Sequence, residues 1–557
     1  MARAIVIVLA AAVVGVAAYT SLGGGEHSGR GVGVGSGQVA AIDFAYSPNQ
    51  EQLLLPLIQA FNNGHHVVDG RAVYVAGKSS ASGNVEASVA NGTYRPTIWA
   101  PASSLWGRLL NYQADAAWVP DENPSIVRTP LVISLWKPEA EALGWPRRPI
   151  GFERILALAT SRRGWAAYGL PTFGRFKLGH TNPDFSTSGL SFVAAQYYMA
   201  TGKREGLTVA DVRRSAVRAK VHRIQQSIVH YGDTSQFFLD QLRVHGPGYV
   251  SALAMEEVSL LDYNRTRPQG SMPLVAIYPA EGTFYFDNPL IILHAPWVSA
   301  GQARAARVFE RWLLPRLTPG LAARYGYRPG DLRQRPAAPI DRAHFVDPAQ
   351  PRIVLGPPEP RVLAAIKTAW RADRKAANVE VVVDTSGSMQ EQDKLAQARL
   401  GLQVFLRQFS SRDRVGLMTF STSAQTIVPL REMKVNRAAL RAAVGELTAG
   451  GGTAVYDATA QAVAQISALH DSTRINAVVV LTDGEDNASH LTEPGLIAQV
   501  KAHAEDEEHN VRVFTIAYGS EADKTDLAAI AAASVGNAYV GDPTQIGDLY
   551  RQISSFF

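Results

Sequence analysis

The sequence predicts an α/β protein built in two blocks, and three observations support this. Between residues 39 and 370, short apolar runs alternate with segments of helical spacing. Further on, Val381-Val382-Val383 and Val478-Val479-Val480-Leu481 read as buried strands, and each leads into a carboxylate, Asp384 and Asp483. Ahead of both blocks, Met1-Ala2-Arg3 precedes an apolar run and then a glycine-rich stretch.

The composition excludes several functions. Of the 557 residues, 46% are hydrophobic and 18% charged, which describes globular protein with ample core. A formal charge of +5 is thin over this length, and no dense Lys/Arg block is interleaved with aromatics, so no nucleic-acid partner is expected. The absence of cysteine excludes disulfides, thiolate metal sites and a cysteine nucleophile.

Residues 1–22 read as a signal anchor or a signal peptide, because a charge precedes the apolar run. Retained, the segment is a single-pass anchor in the cell membrane with the bulk of the chain outside and Arg3 cytoplasmic. Cleaved after Ala18, it leaves a secreted protein. Residues 23–38 are a glycine-rich tether.

In residues 39–370, strands are predicted at 40–45, 72–76 and 97–100, with a helix over 51–61. A strand over 176–181 leads to a helix from 190 to 199, and strands follow at 274–278 and 288–294. Several strands run into hydroxyl-rich loops that open helices, where free N–H groups bind anions and polar ligands. Gly77-Lys78-Ser79 looks like the end of a P-loop, but Ala72 stands where that motif needs glycine. His65-His66 reads as a loop entering a strand.

The strings Tyr46-Ser47-Pro48-Asn49, Gly77-Lys78-Ser79-Ser80, Ala100-Pro101-Ala102-Ser103-Ser104, Thr181-Asn182-Pro183, Ser186-Thr187-Ser188-Gly189 and Tyr278-Pro279-Ala280-Glu281-Gly282 resemble bacterial extracellular solute-binding proteins of ABC transporters. The resemblance implies the two-lobed periplasmic-binding-protein fold, with crossing strands at 130–136 and 274–278 and a hinge motion around a small solute, an oxyanion among the options. Ser47, Ser79, Ser80, Ser104, Asn182, Ser186 and Thr187 are the candidates to line the cleft. Each has a plainer alternative role, capping a helix or shaping a turn. Residues 319–360 are rich in Pro, Arg and Ala, and the lobe is taken to continue to 370. Residues 371–378 are expected to be a short linker, its Arg-Ala-Asp-Arg-Lys run a solvated helix end.

In the second block, Asp384-Thr385-Ser386-Gly387-Ser388 places one carboxylate and two hydroxyls where a strand gives way to a loop. At that edge of an open α/β sheet ligands bind. Gly450-Gly451-Gly452-Thr453 adds a flexible loop ahead of a helix predicted over 454–469, and Thr482-Asp483-Gly484 ends a second strand. Oxygen donors without sulfur or imidazole suit Mg²⁺, Mn²⁺ or Ca²⁺. Glu485, Asp486 and Asn487 read as a solvated turn, with a second cation site as the alternative.

These three pieces resemble the metal-ion-dependent adhesion site of von Willebrand factor A domains, over residues 379–557. The resemblance implies a doubly wound Rossmann-like sheet. It further implies a divalent cation, Mg²⁺ first with Mn²⁺ and Ca²⁺ as alternatives, held by Asp384, Ser386, Ser388, Thr453 and Asp483. An open coordination position would accept an Asp or Glu carboxylate of a protein partner.

The combined expectation is a non-enzymatic, envelope-exposed binding protein. One alternative is a transporter-type solute-capture component whose adhesion-type domain docks a membrane partner. Another is a chelatase-like accessory subunit. A hydrolase is disfavoured because the sequence around Ser386 lacks a Gly-x-Ser-x-Gly elbow.

Overall fold

The computed structural model describes residues 39–504, 510–542 and 546–557, and these form three sheets with their covering helices. The expected anchor and tether, residues 1–38, lie outside the described residues. Among the described residues, no helix is long and apolar enough to cross a membrane.

The first lobe begins with β1 (Val39–Tyr46), α1 (Glu51–Asn63), β2 (Val67–Val68), β3 (Arg71–Ser79), α2 (Ser82–Ala90), β4 (Ile98–Ala100) and α3 (Ser104–Ala114). β1 pairs in parallel with both β3 and β4, so the loops after Tyr46, Ser79 and Ala100 open at one sheet edge. His66 stacks on Phe61, with ring centroids 4.3 Å apart, and leads into β2 as expected for a loop residue.

The chain crosses on β5 (Val127–Trp136) into the second lobe, which adds α4 (Lys137–Ala142), α5 (Phe152–Ala159), β6 (Leu178–His180), α6 (Thr187–Thr201), α7 (Val209–Arg213), α8 (Ser215–Gln225), α9 (Ser235–His245), β7 (Ala252–Glu256), α10 (Glu257–Thr266) and β8 (Leu274–Ile277). β7 and β8 both pair antiparallel with β5. The expectation of a crossing at 274–278 is therefore corrected. That segment stays inside the second sheet, and the return runs through β9 (Tyr285–Phe286), on β5, to β10 (Ile291–Ile292), on β4 of the first sheet.

α11 (Ala300–Leu313), α12 (Pro319–Arg324) and β11 (Arg328–Pro329) follow, the last pairing with β5. α13 (Pro360–Asp373) then lies across both lobes, with Leu363 packed among the Trp106 cluster of the first and Ile366 and Trp370 in the core of the second.

The C-terminal block comprises β12 (Ala377–Asp384), α14 (Lys394–Gln408), β13 (Arg414–Phe420), β14 (Ala424–Glu432), α15 (Met433–Glu446), α16 (Val455–Ser467), β15 (Ile475–Thr482), α17 (Glu493–Ala504), β16 (Val511–Tyr518), α18 (Lys524–Ala533), β17 (Ala538–Gly541) and α19 (Ile546–Ser554). Strand order is β14-β13-β12-β15-β16-β17, parallel except for β14. β12, β15 and β16 are buried along their whole length, as β-branched strands covered on both faces must be. The period of two divides them cleanly. Val382, Val478 and Val480 face α16, while Val381, Val383, Val479 and Leu481 join the core of α14 and α19.

The junction at 371–378 corrects the expectation of a solvated helix end. Asp373 takes a two-pronged hydrogen bond from Arg218, Arg374 is buried against Asp413 at 2.6 Å, and the Lys375 ammonium donates to the Ile228 carbonyl at 3.3 Å. At the other end of the block, Phe556 sits 4.7 Å from Phe237 and 4.9 Å from Phe514, ring to ring. One apolar core thus runs unbroken from the second lobe through the C-terminal sheet. The described residues accordingly fall in one compact unit. Burial of these paired charges explains why a charge-rich sequence is not solvated here.

Candidate functional site

The order of the parallel strands reverses between β12 and β15, because β13 lies on the far side of β12 and β16 on the far side of β15. At such a switch point the loops diverge and leave a crevice at the carboxyl ends of the strands. Asp384 closes β12 and Asp483 follows β15, so both carboxylates open into it, and each is fully buried.

The loops are tied to one another. Asp384 Oδ1 accepts from the Ser386 amide at 2.7 Å, and its Oδ2 accepts from the Thr482 hydroxyl at 2.6 Å. Ser386 Oγ lies 3.0 Å from Ser388 Oγ, which donates to Asp483 Oδ1 at 2.7 Å. Two backbone bonds join the first loop to the glycine loop, Gly387 N to the Gly451 carbonyl at 3.0 Å and Gly450 N to the Thr385 carbonyl at 2.8 Å. Gly451 has φ +89, and a Cβ there would meet Thr422 Oγ1 at 2.9 Å, so this loop needs glycine. Asn487 secures Thr453, accepting from its amide at 2.8 Å and donating its own amide to the Thr453 carbonyl at 3.0 Å.

Residues 378–552 match the von Willebrand factor type A domain.

Across most of its length the chain is also similar to an uncharacterized protein of Mycobacterium tuberculosis, 23% identical over 482 residues that cover 83% of this chain and 68% of the relative. Inter-alpha-trypsin inhibitor heavy chain H4 of Sus scrofa is 29% identical over 196 residues, 33% of this chain and 21% of that one. Among solved structures, a periplasmic binding protein covers 60% of this chain and 99% of its own at a TM-score of 0.41 and 13% identity.

Type A domains commonly hold a divalent metal, and the residues at this switch point fit one. The donor set is two carboxylates and three hydroxyls, all hard oxygens. Gly484 leaves a cradle, since a Cβ there would stand 3.6 Å from Thr453 Oγ1 and 3.8 Å from Ser388 Oγ. A cation already stands in the cluster: the Lys394 ammonium, 2.7 Å from Asp483 Oδ2. Among the described residues, this site included, no group of three or more His, Cys, Asp or Glu is placed to hold a metal, so the three hydroxyls are needed to complete the donor set. Burial, with the Asp483 charge adding to it, holds the Asp384 carboxyl above its ordinary range, while hydrogen bonds from Ser386 and Thr482 act the other way. Burial opposes the charge of Lys394, but the hydrogen bond and charge of Asp483, with Glu521 and Glu391, outweigh it and raise its pKa.

Sequence reasoning brought five residues to this place and missed three: Thr482, Asn487 and Lys394. Thr482 sat inside the quoted string and could have been found as a hydroxyl adjoining a site carboxylate. Lys394, ten positions after Asp384 in sequence, carried no signal because the turn that aims it is tertiary.

In the N-terminal lobes Ser47, Ser79, Ser80 and Ser104 stand at or just past the carboxyl edge of the first sheet, and Asn182, Ser186 and Thr187 stand in the second lobe. The Ser47 amide donates to the Ala100 carbonyl at 3.1 Å, and the half-buried Ser80 donates its amide to the Tyr46 carbonyl at 3.0 Å. Ser104 opens α3 with its amide on Asp287 Oδ1 at 2.8 Å. Asn182 donates to the Ser555 carbonyl at 3.2 Å, Ser186 lies in a hydroxyl cluster with Thr181 and Ser188, and Thr187 accepts from the Trp106 indole at 2.8 Å. Ser79 Oγ is buried and without a hydrogen-bond partner.

The two lobes touch directly. Gly83 N donates to the Phe185 carbonyl at 2.9 Å, and a Cβ on Gly83 would stand 2.3 Å from the Asp184 carbonyl oxygen. α13 straps the contact, with Arg371 paired to Asp184 at 2.7 Å and Lys367 over the Trp106 ring at 5.1 Å. Glu86, buried beside them, is pushed up to about 7 by burial.

Proposed function

We propose that this chain is a non-catalytic binding protein whose type A domain grips a protein partner through a divalent cation. Type A domains mediate protein–protein interaction in general, and the three-loop cluster at the switch point carries the reading for this chain. Asp384, Ser386, Ser388, Thr453 and Asp483 would hold the ion. When bound, it would supply a concentrated positive charge with a position open to an Asp or Glu carboxylate of the partner. The three hydroxyls are neutral, so only Asp384 and Asp483 oppose that charge, and the glycine loop keeps the backbone close without side chains in the way. The N-terminal lobes serve as the platform that presents this face, since one core joins the two blocks.

The test is metal titration by calorimetry on the full chain. Wild type is expected to bind Mg²⁺ or Mn²⁺, and the Asp384→Ala/Asp483→Ala variant to lose at least about 100-fold in affinity, on the order of 2.7 kcal/mol. Unchanged affinity in the variant removes this reading.

Small-solute capture is a second reading, favoured by one observation: Ser79 Oγ is buried and unpartnered at the first-lobe rim. An oxyanion is the solute class offered by the sequence reading. Calorimetry with phosphate and sulfate is expected to show binding that Ser79→Ala weakens by about tenfold. No heat from either anion, or the same heat from the variant, discards solute capture while leaving the metal reading intact.

A further inference from the structure

Lys394 is the one lysine that reaches the carboxylates of the site among the described residues, and the fold takes unusual steps to put it there. Its side chain is 5% exposed and its ammonium lies 2.7 Å from Asp483 Oδ2. The two residues before it, Gln392 and Asp393, both adopt left-handed backbone, φ 50 and φ 56. Consecutive left-handed positions without glycine are costly and persist only where surrounding contacts impose them. Here they start α14 at Lys394 itself, and the Tyr518 hydroxyl clamps that first turn by donating to the Lys394 carbonyl at 2.9 Å.

The electrostatic consequence is direct. Two buried carboxylates and one buried ammonium leave a single net negative charge where a divalent ion would otherwise meet two. Glu521 is the next carboxylate near the ammonium, at 3.9 Å, and is 63% exposed, so water screens it. We infer that Lys394 is a tethered counter-cation that sets the affinity of the site for a divalent ion, holding Asp483 in place when the site is empty and opposing the ion that enters. This rests on the metal reading above. Its consequence is a site tuned to weak metal binding, in which a partner carboxylate supplies the negative charge that Lys394 has cancelled. Ion and partner carboxylate then bind as a cooperative pair.

The experiment is Mn²⁺ titration of the full chain by calorimetry and by the electron paramagnetic resonance signal of free Mn²⁺, on wild type, Lys394→Met and Lys394→Arg. Lys394→Met is expected to bind Mn²⁺ at least about tenfold more tightly, and Lys394→Arg, which keeps the charge, to stay close to wild type. If wild type binds Mn²⁺ and Lys394→Met binds equally or more weakly, the metal reading stands and the counter-cation role is overturned. If neither binds at millimolar Mn²⁺, the metal reading itself fails and takes this inference with it. Should thermal melting show Lys394→Met unfolded, Lys394→Gln carries the same expectation, because it keeps a hydrogen-bond donor toward Asp483 and removes only the charge.

Discussion

Phe556→Ala is expected to destabilise the entire chain by about 3–5 kcal/mol, the range for truncating a fully buried aromatic. Phe556 is 0% exposed although it is the second-last residue. Its ring packs edge-on to Phe237 of the second lobe and tilted against Phe514 of β16, so one side chain serves both blocks. Around it, the Ser555 carbonyl accepts from Asn182, the Phe556 carbonyl accepts from the Tyr231 amide at 3.4 Å, and Gln552 donates to Asp233 at 2.5 Å. Alanine would leave a cavity between Phe237 of α9, Phe514 of β16 and His230. Guanidinium unfolding followed by tryptophan fluorescence and by circular dichroism reads this out. A single transition is expected from both probes, shifted in midpoint by the substitution. A loss under about 1 kcal/mol, or two well-separated transitions in wild type, contradicts the continuous core.

Arg328→Met is expected to cost a similar amount, about 3–5 kcal/mol, because it would strand a buried carboxylate. Arg328 and Glu257 face each other with 5% and 0% side-chain exposure, and the guanidinium makes a two-pronged contact at 2.7 and 2.6 Å. Its remaining hydrogens go to the backbone carbonyls of Asp347 at 3.2 Å, Pro348 at 3.4 Å and Gln350 at 2.5 Å. The residue therefore pins the proline-rich stretch after β11 to α10. Replacing both partners, Arg328→Met with Glu257→Met, is expected to recover most of the loss, since two apolar groups leave no buried charge unpaired. The same denaturation curves measure both variants. A double variant as unstable as the single one would locate the effect in the carbonyl contacts instead of the ion pair.

In the C-terminal sheet β12 and β15 were legible because they are covered on both faces and read as apolar β-branched runs, whereas β13, β14 and β17 carry no such run. Asp384 and Asp483 stood out for a related reason: a carboxylate straight after such a run interrupts it abruptly. Seven lobe strands were found too, but β2, β7, β9 and β11 were not, nor was the connection between the lobes. Leu274–Ile277 has the same apolar pattern whether it crosses between sheets or stays in one, and only its pairing with β5 decides. The Arg371 to Lys375 charges were read as solvated because nothing local names Asp413 or the carbonyl of Ile228 as their partners.

Local sequence alone determined the strand-and-helix alternation, the positions of the two terminal carboxylates and the glycine loop, because hydrophobic period and backbone permissiveness are properties of neighbouring residues. Tertiary structure decided that Ser388 meets Asp483, that Lys394 reaches the same carboxylate, and that the C-terminal phenylalanines join two blocks into one core. These are contacts between residues far apart along the chain or aimed by an unusual backbone turn. Their existence depends on how burial of the whole sheet orders its loops, which no short stretch of sequence encodes.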